Sequence, residues 1–180
     1  FGVLVVSGEY STGMIRNSLA AVPQRGLFLA GKVTVTAAVV LVVGAVTSWA
    51  SFLLGQGLLG PLGTDVTAPG VARAVVGAGL YMALIALFAT GVTVVLRSAL
   101  LAFGVLMPFF FLVSNVLNAV SATRRVARFL PDQAGSAVMS VVPQDGGERP
   151  YGPWGGLLIM TAWVAAALLA GWVALQRRDA

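Results

Sequence analysis

The chain has 180 residues, of which 58% are hydrophobic and 9% charged, and its mean hydropathy is +0.94. A soluble domain carries about a quarter charged residues to keep its surface wet, so a water-soluble globule is excluded and lipid must be part of the solvent. The net charge is +5, but the basic residues sit singly or in pairs at the ends of apolar runs, which argues against a nucleic-acid partner, and the absence of Cys and His excludes disulfides, thiolate chemistry and the usual zinc sites.

Residues 1–6 form an apolar run without the basic region that opens a signal peptide. They are expected to be the last turns of an earlier span in an N-terminally truncated chain. Residues 7–22 read as one amphipathic helix, with Met14, Ile15, Leu19 and Val22 on or near one face and Pro23 ending it. Residues 33–54 are the first complete span. Twenty-two residues give about 33 Å of helix, enough for a hydrocarbon core of about 30 Å. Valine dominates this span, but a lone strand crossing lipid leaves its backbone unpaired, so the helix wins. Residues 55–73, rich in Gly and Pro, predict an irregular loop.

Residues 74–120 hold a single charge, Arg97. One helix of that length would be about 70 Å, so the chain must turn near Arg97-Ser98, giving spans 74–96 and 98–120. Pro108 should kink the second arm. Asn115 and Asn118, three apart, share a face expected to turn toward protein or water, and are candidates to line a pathway. Residues 121–153 predict an external segment with two short helices. The first carries Arg124, Arg125 and Arg128 at the interface, and the second is capped by Asp132 and runs through Val142. Residues 154–175 are the last span. The fold class is therefore an all-α polytopic membrane protein: four complete transmembrane helices, the end of an earlier one, and an amphipathic helix at 7–22.

Basic residues orient the chain weakly. With 7–32 inside, Arg16, Arg25, Lys32, Arg97, Arg177 and Arg178 fall on the cytoplasmic side, against Arg73, Arg124, Arg125, Arg128 and Arg149 outside. None of the four spans contains Asp, Glu, Lys, Arg or His, which argues against an ion-coupled transporter, a voltage sensor or an intramembrane enzyme. Energy for any transport must then come from elsewhere. Residues 26–32 fit G-x-x-x-x-G-K, but Val33 replaces the hydroxyl that holds Mg²⁺ and no strand precedes the match. Residues 55–60 fit G-x-G-x-x-G but meet Pro61 instead of opening a helix. Neither reads as a nucleotide site.

The stretch Gly8-Glu9-Tyr10-Ser11-Thr12-Gly13-Met14-Ile15-Arg16, followed by Pro23, Arg25 and Lys32, resembles the cytoplasmic segment between spans two and three in the membrane subunits of type-2 ABC exporters. Met14 stands where Thr is commoner. The resemblance implies a coupling helix that docks on a cytoplasmic ABC ATPase through Glu9, Tyr10, Gly13, Met14, Ile15, Arg16 and Arg25. It also implies six spans with both ends inside, a tight cytoplasmic turn between spans four and five, and short external helices before span six. The expected protein is a non-enzymatic permease of a bacterial plasma membrane, paired with a second permease copy or paralogue. No cofactor is expected on this chain, ATP and Mg²⁺ belonging to the ATPase. A non-transporting membrane scaffold or sensor subunit is the alternative.

Overall fold

The computed structural model describes residues 1–21, 24–142 and 150–177, except for the side chains of Arg16 and Leu19. Pro23, Arg149 and Arg178 lie outside the described residues. The elements are α1 (Gly2–Ser11), α2 (Met14–Ala21), α3 (Arg25–Leu59), α4 (Val71–Leu96), α5 (Ala99–Pro108), a π turn (Phe109–Val113), α6 (Ser114–Ala119), α7 (Arg124–Ala127), α8 (Pro131–Ser136) with a 3₁₀ turn (Ala137–Met139), and α9 (Pro153–Arg177). No strand occurs among the described residues. Four helical stretches are long and apolar enough to cross a membrane: Arg25–Leu62, Val71–Leu96, Ala99–Ala119 and Pro153–Arg177.

The single helix expected over 7–22 is two. Helix α1 runs to Ser11, where the Thr12 amide and both the Ser11 and Thr12 hydroxyls donate to the Gly8 carbonyl. Gly13 then takes φ +69°, a left-handed conformation that glycine adopts without steric cost, and α2 starts afresh at Met14. The first span is also longer than expected. Helix α3 has 35 residues, about 52 Å, longer than a hydrocarbon core of about 30 Å, and it takes in residues 26–32 and all of the 55–60 motif but Gly60. Residues 26–32 are helical rather than a phosphate-binding loop, and so are Gly55 and Gly57. The irregular connection shrinks to the residues between the 3₁₀ turn Gly60–Leu62 and Val71.

The turn at Arg97-Ser98 forms as the charge pattern requires. Arg97 takes φ 55° at the end of α4, and the Ser98 hydroxyl accepts the Leu101 amide at the start of α5. Pro108 cannot donate to the turn before it, and the π turn follows immediately.

Helix α4 is the centre of the bundle, packing against α1, α3, α9 and the α8 segment. Small residues let it do so. A Cβ on Gly44 would fall 2.9 Å from the Gly79 carbonyl oxygen, and one on Gly91 2.7 Å from the Ala167 carbonyl carbon. These are the backbone approaches by which membrane helices gain van der Waals contact without a hydrophobic drive between them. One turn before Gly91 the buried Phe88 anchors an aromatic cluster, 6.3 Å from Phe109, 6.0 Å from Phe110 and 6.3 Å from Trp163.

The described part of the 121–153 segment packs against α4 and α9 through α8 and the 3₁₀ turn. Ala127, Ala134 and Val138 are wholly buried. The Tyr81 hydroxyl donates to the Asp132 carbonyl and the Trp163 indole to the Phe129 carbonyl. Both donors sit ten residues inside their helices, about 15 Å from the ends, where α8 and its 3₁₀ turn pack against α4 and α9. Asp132 does not cap α8. Leu130 occupies the N-cap position and Pro131 the first turn, and the Asp132 carboxylate accepts instead from the Ser114 hydroxyl (2.7 Å) and the Gln133 amide (2.9 Å). The second helix ends in the 3₁₀ turn at Met139, short of Val142.

Asp65 precedes α4 and Ser98 follows it, so the two lie at opposite ends of that helix. Single cysteines at these two positions, in a chain otherwise free of cysteine, should label with an impermeant maleimide from opposite faces of the membrane. Labelling of both from one face would overturn this arrangement.

Candidate functional site

The residues of the amphipathic stretch converge where α1, α2, α3 and α9 meet, at the Arg97 end of α4. Glu9, on the last turn of α1, accepts from Lys32 Nζ of α3 at 2.6 Å and from the Ser18 hydroxyl of α2 at 2.9 Å. One carboxylate thus ties three helices together. Its side chain is 15% exposed and that of Lys32 28%. Gly13 makes this possible, because the left-handed turn folds α2 back toward α1 and brings Ser18 to the carboxylate.

Apolar contacts complete the corner. Ile15 is buried with Val6, Leu29, Val94 and Leu175, and the residual gap among them, about 10 Å³, is the space of a single water. The Arg97 guanidinium stacks 5.6 Å from the Tyr10 ring centroid, and Lys32 lies 5.9 Å from that of Phe28. Arg25 donates to the Leu175 carbonyl at 2.7 Å, placing a cation at the end of α9 where the helix dipole is negative.

Seven residues carry the sequence expectation here, and the structure assigns them different positions. Glu9, Tyr10 and Ile15 face the chain's own helices, Arg25 binds α9, Gly13 makes the turn, and Met14 is outward, 55% exposed. The Arg16 side chain lies outside the described residues. Sequence reasoning left out Ser18 and Arg97, although the opposite charges of Glu9 and the chain's sole lysine were a signal for their pairing. Asn115 and Asn118 are elsewhere. The Asn115 side-chain amide donates to the Phe111 carbonyl, within the π turn, and the Asn118 backbone carbonyl accepts from Arg124. The inward polar residue of α6 is Ser114, fully buried and bound to Asp132.

The Lys32 ammonium, hydrogen-bonded to Glu9, holds its carboxyl below the ordinary value of 4.5 against the opposing effect of burial. Burial raises Tyr10 above its ordinary 10.0, with Arg97 opposing. A carboxylate whose pKa is depressed on folding stabilises the fold above its unfolded value and loses that contribution as pH falls through the folded value. The α1–α2–α3 corner should therefore be insensitive to pH from neutrality down to about 4.5 and loosen only below it. Proteolysis within α2 as a function of pH reads this directly, and loosening between pH 7 and 6 would contradict it.

Among the described residues no group of three His, Cys, Asp or Glu side chains is placed to hold a metal. The chemistry available at the corner is mechanical: a charged clamp and an apolar plug joining four helices. Comparison with protein families, curated proteins and solved structures finds no match to the chain.

Proposed function

We propose that the chain is the permease subunit of an ATP-driven exporter of the type-2 ABC kind. It works as a dimer with a second permease copy or paralogue in a bacterial plasma membrane, with ATP and Mg²⁺ held by cytoplasmic ATPase subunits. The observation that carries this reading is the division of labour in the α2 corner. Met14 stands outward at the tip, while Glu9, Ser18, Lys32 and Ile15 clamp α2 to α1 and α3. A push on α2 from a docked ATPase passes through the clamp into α1 and α3, and through Arg25 into α9. In this reading Glu9 and Ile15 transmit the motion and Met14 makes the contact.

Burying a Met side chain stabilises an interface by about 1.5–3 kcal/mol. Met14→Asp should therefore lower co-purification of a nucleotide-hydrolysing subunit from native membranes about tenfold or more, leaving the thermal midpoint of the chain unchanged. Leu62→Asp, 86% exposed at the other end of α3, is the control and should retain the partner. Should Met14→Asp keep the same ATP-hydrolysing partner, or the wild type recover none, the scaffold or sensor reading becomes the better one.

A further inference from the structure

Helices α3 and α4 touch at Gly44 and Gly79 and part beyond that crossing, leaving an open-sided groove of about 450 Å³ that Thr64 and Val141 close at its far end. That volume is within the roughly 300–1,000 Å³ of small-molecule sites. The α4 wall is apolar, formed chiefly by Val75, Ala78 and Met82. The α3 wall presents Thr47, Ser51 and Gln56, which spread over nine residues or about 13 Å of helix.

Hydroxyls in the helices divide into bonded and unbonded ones, and among the unbonded Thr36 of α3 is fully buried away from the groove while Thr47 and Ser51 are exposed on its wall. Within the spans, Ser48, Thr90, Thr93 and Thr161 each donate to a carbonyl of their own helix, at 3.1, 2.8, 2.7 and 2.8 Å. Thr47 and Ser51, one turn apart and facing the groove, make no hydrogen bond among the described residues. Gln56 accepts the Thr64 amide at 2.5 Å through its oxygen, which leaves its NH₂ as a donor at the mouth. A hydroxyl in hydrocarbon without a partner is costly. No ionisable side chain lines the groove, so a charged ligand would have nothing to offset its desolvation.

The geometry points to a binding site for an uncharged amphiphile, one with an apolar body and a hydroxyl or carbonyl oxygen part-way along it, entering sideways from the bilayer. Its oxygen bonds Thr47 and Ser51 while its chain lies on Val75, Ala78 and Met82. The site stands independently of the export reading, since it rests on the α3–α4 groove and not on the α2 corner.

The test uses the full chain in phosphatidylcholine–phosphatidylglycerol vesicles, with a diazirine-bearing hexadecanol as probe and the same diazirine on hexadecane as control. Labelling by the alcohol should map to residues 47–56 and 71–82 and saturate with free hexadecanol, while hexadecyltrimethylammonium should compete poorly. The near-isosteric Thr47→Val/Ser51→Ala variant removes two hydrogen bonds and should weaken alcohol binding about tenfold without changing hydrocarbon labelling. Ala78→Phe, which fills the groove, should abolish labelling by both. If the double variant loses its thermal transition, Ser51→Ala alone decides the same comparison. Labelling that does not saturate, maps elsewhere, is indifferent to the hydroxyls, or yields equally to the cation would overturn the assignment.

Discussion

Glu9→Lys is expected to release α2 from the bundle. It replaces a 2.6 Å ion pair with two facing ammonium groups and removes the acceptor of the Ser18 hydroxyl. Removing one partner of a fully buried pair costs about 3–5 kcal/mol; with Lys32 still 28% exposed, water recovers part of that and about 2 kcal/mol is the better figure. The loss is local, because α4 and α9 are held by contacts that do not involve Glu9. The thermal transition should therefore survive while cleavage within α2 accelerates by roughly 30-fold, the equivalent of that free energy. The reverse pair, Glu9→Lys with Lys32→Glu, should restore protection. On the export reading the single variant also retains insertion and loses coupling, since the clamp and not the docking tip is broken. If cleavage is unchanged, Glu9 does not hold the corner. If the swap fails to rescue, the pair is not what Glu9 contributes.

Gly91→Leu should be more damaging to the fold as a whole. A Cβ at this position would already fall 2.7 Å from the Ala167 carbonyl carbon and 2.8 Å from the Leu168 nitrogen, which are backbone atoms of α9 with no rotamer to yield. A Cβ on Gly171 would meet the same crossing from the other side, 3.1 Å from Val94 Cβ. The helices must part, and the aromatic cluster of Phe88, Phe109 and Trp163 loses its packing with them. Overpacking of a tight contact costs about 1–3 kcal/mol even where side chains can move, so with backbone on both sides the upper end or more is expected. Purified Gly91→Leu should show a thermal midpoint in detergent well below wild type, or none. Gly104→Leu, where a Cβ meets nothing within 4 Å, is the control and should leave it unchanged. Equal midpoints for the two variants would mean that α4 and α9 do not approach at Gly91.

Composition and the lengths of the apolar runs sufficed to determine that the chain is helical, that it has four stretches able to cross a membrane, and that it turns at Arg97-Ser98. The reason is that the bilayer imposes a local rule: each run must satisfy its own backbone bonds over about 30 Å, and a 47-residue run cannot remain one helix. Helix ends were less legible. The glycines at 55 and 57 resemble loop residues, yet α3 runs through them because continuing the helix keeps their backbone groups paired. The pattern at 7–22 carries the apolar period of a helix but gives no sign that Gly13 would break it with a positive φ.

Direction and depth belonged to the tertiary structure. An amphipathic face shows that Ile15 seeks apolar company, but only the folded chain shows that Val6, Leu29, Val94 and Leu175 supply it, leaving Met14 as the outward side chain. Glu9 reads equally well as a docking charge or an internal clamp, because its partner Lys32 is 23 residues away and no local rule pairs them. The segment from Arg124 to Met139 is polar enough to read as external. Only the folded chain shows that its carbonyls accept from Tyr81 and Trp163, and that Gly135 and Gly156 let it approach α4 and α9 closely. The α3–α4 groove follows from a single close crossing at Gly44 and Gly79: where two straight helices touch at one point they must diverge elsewhere, and no pattern along either helix alone records that wedge.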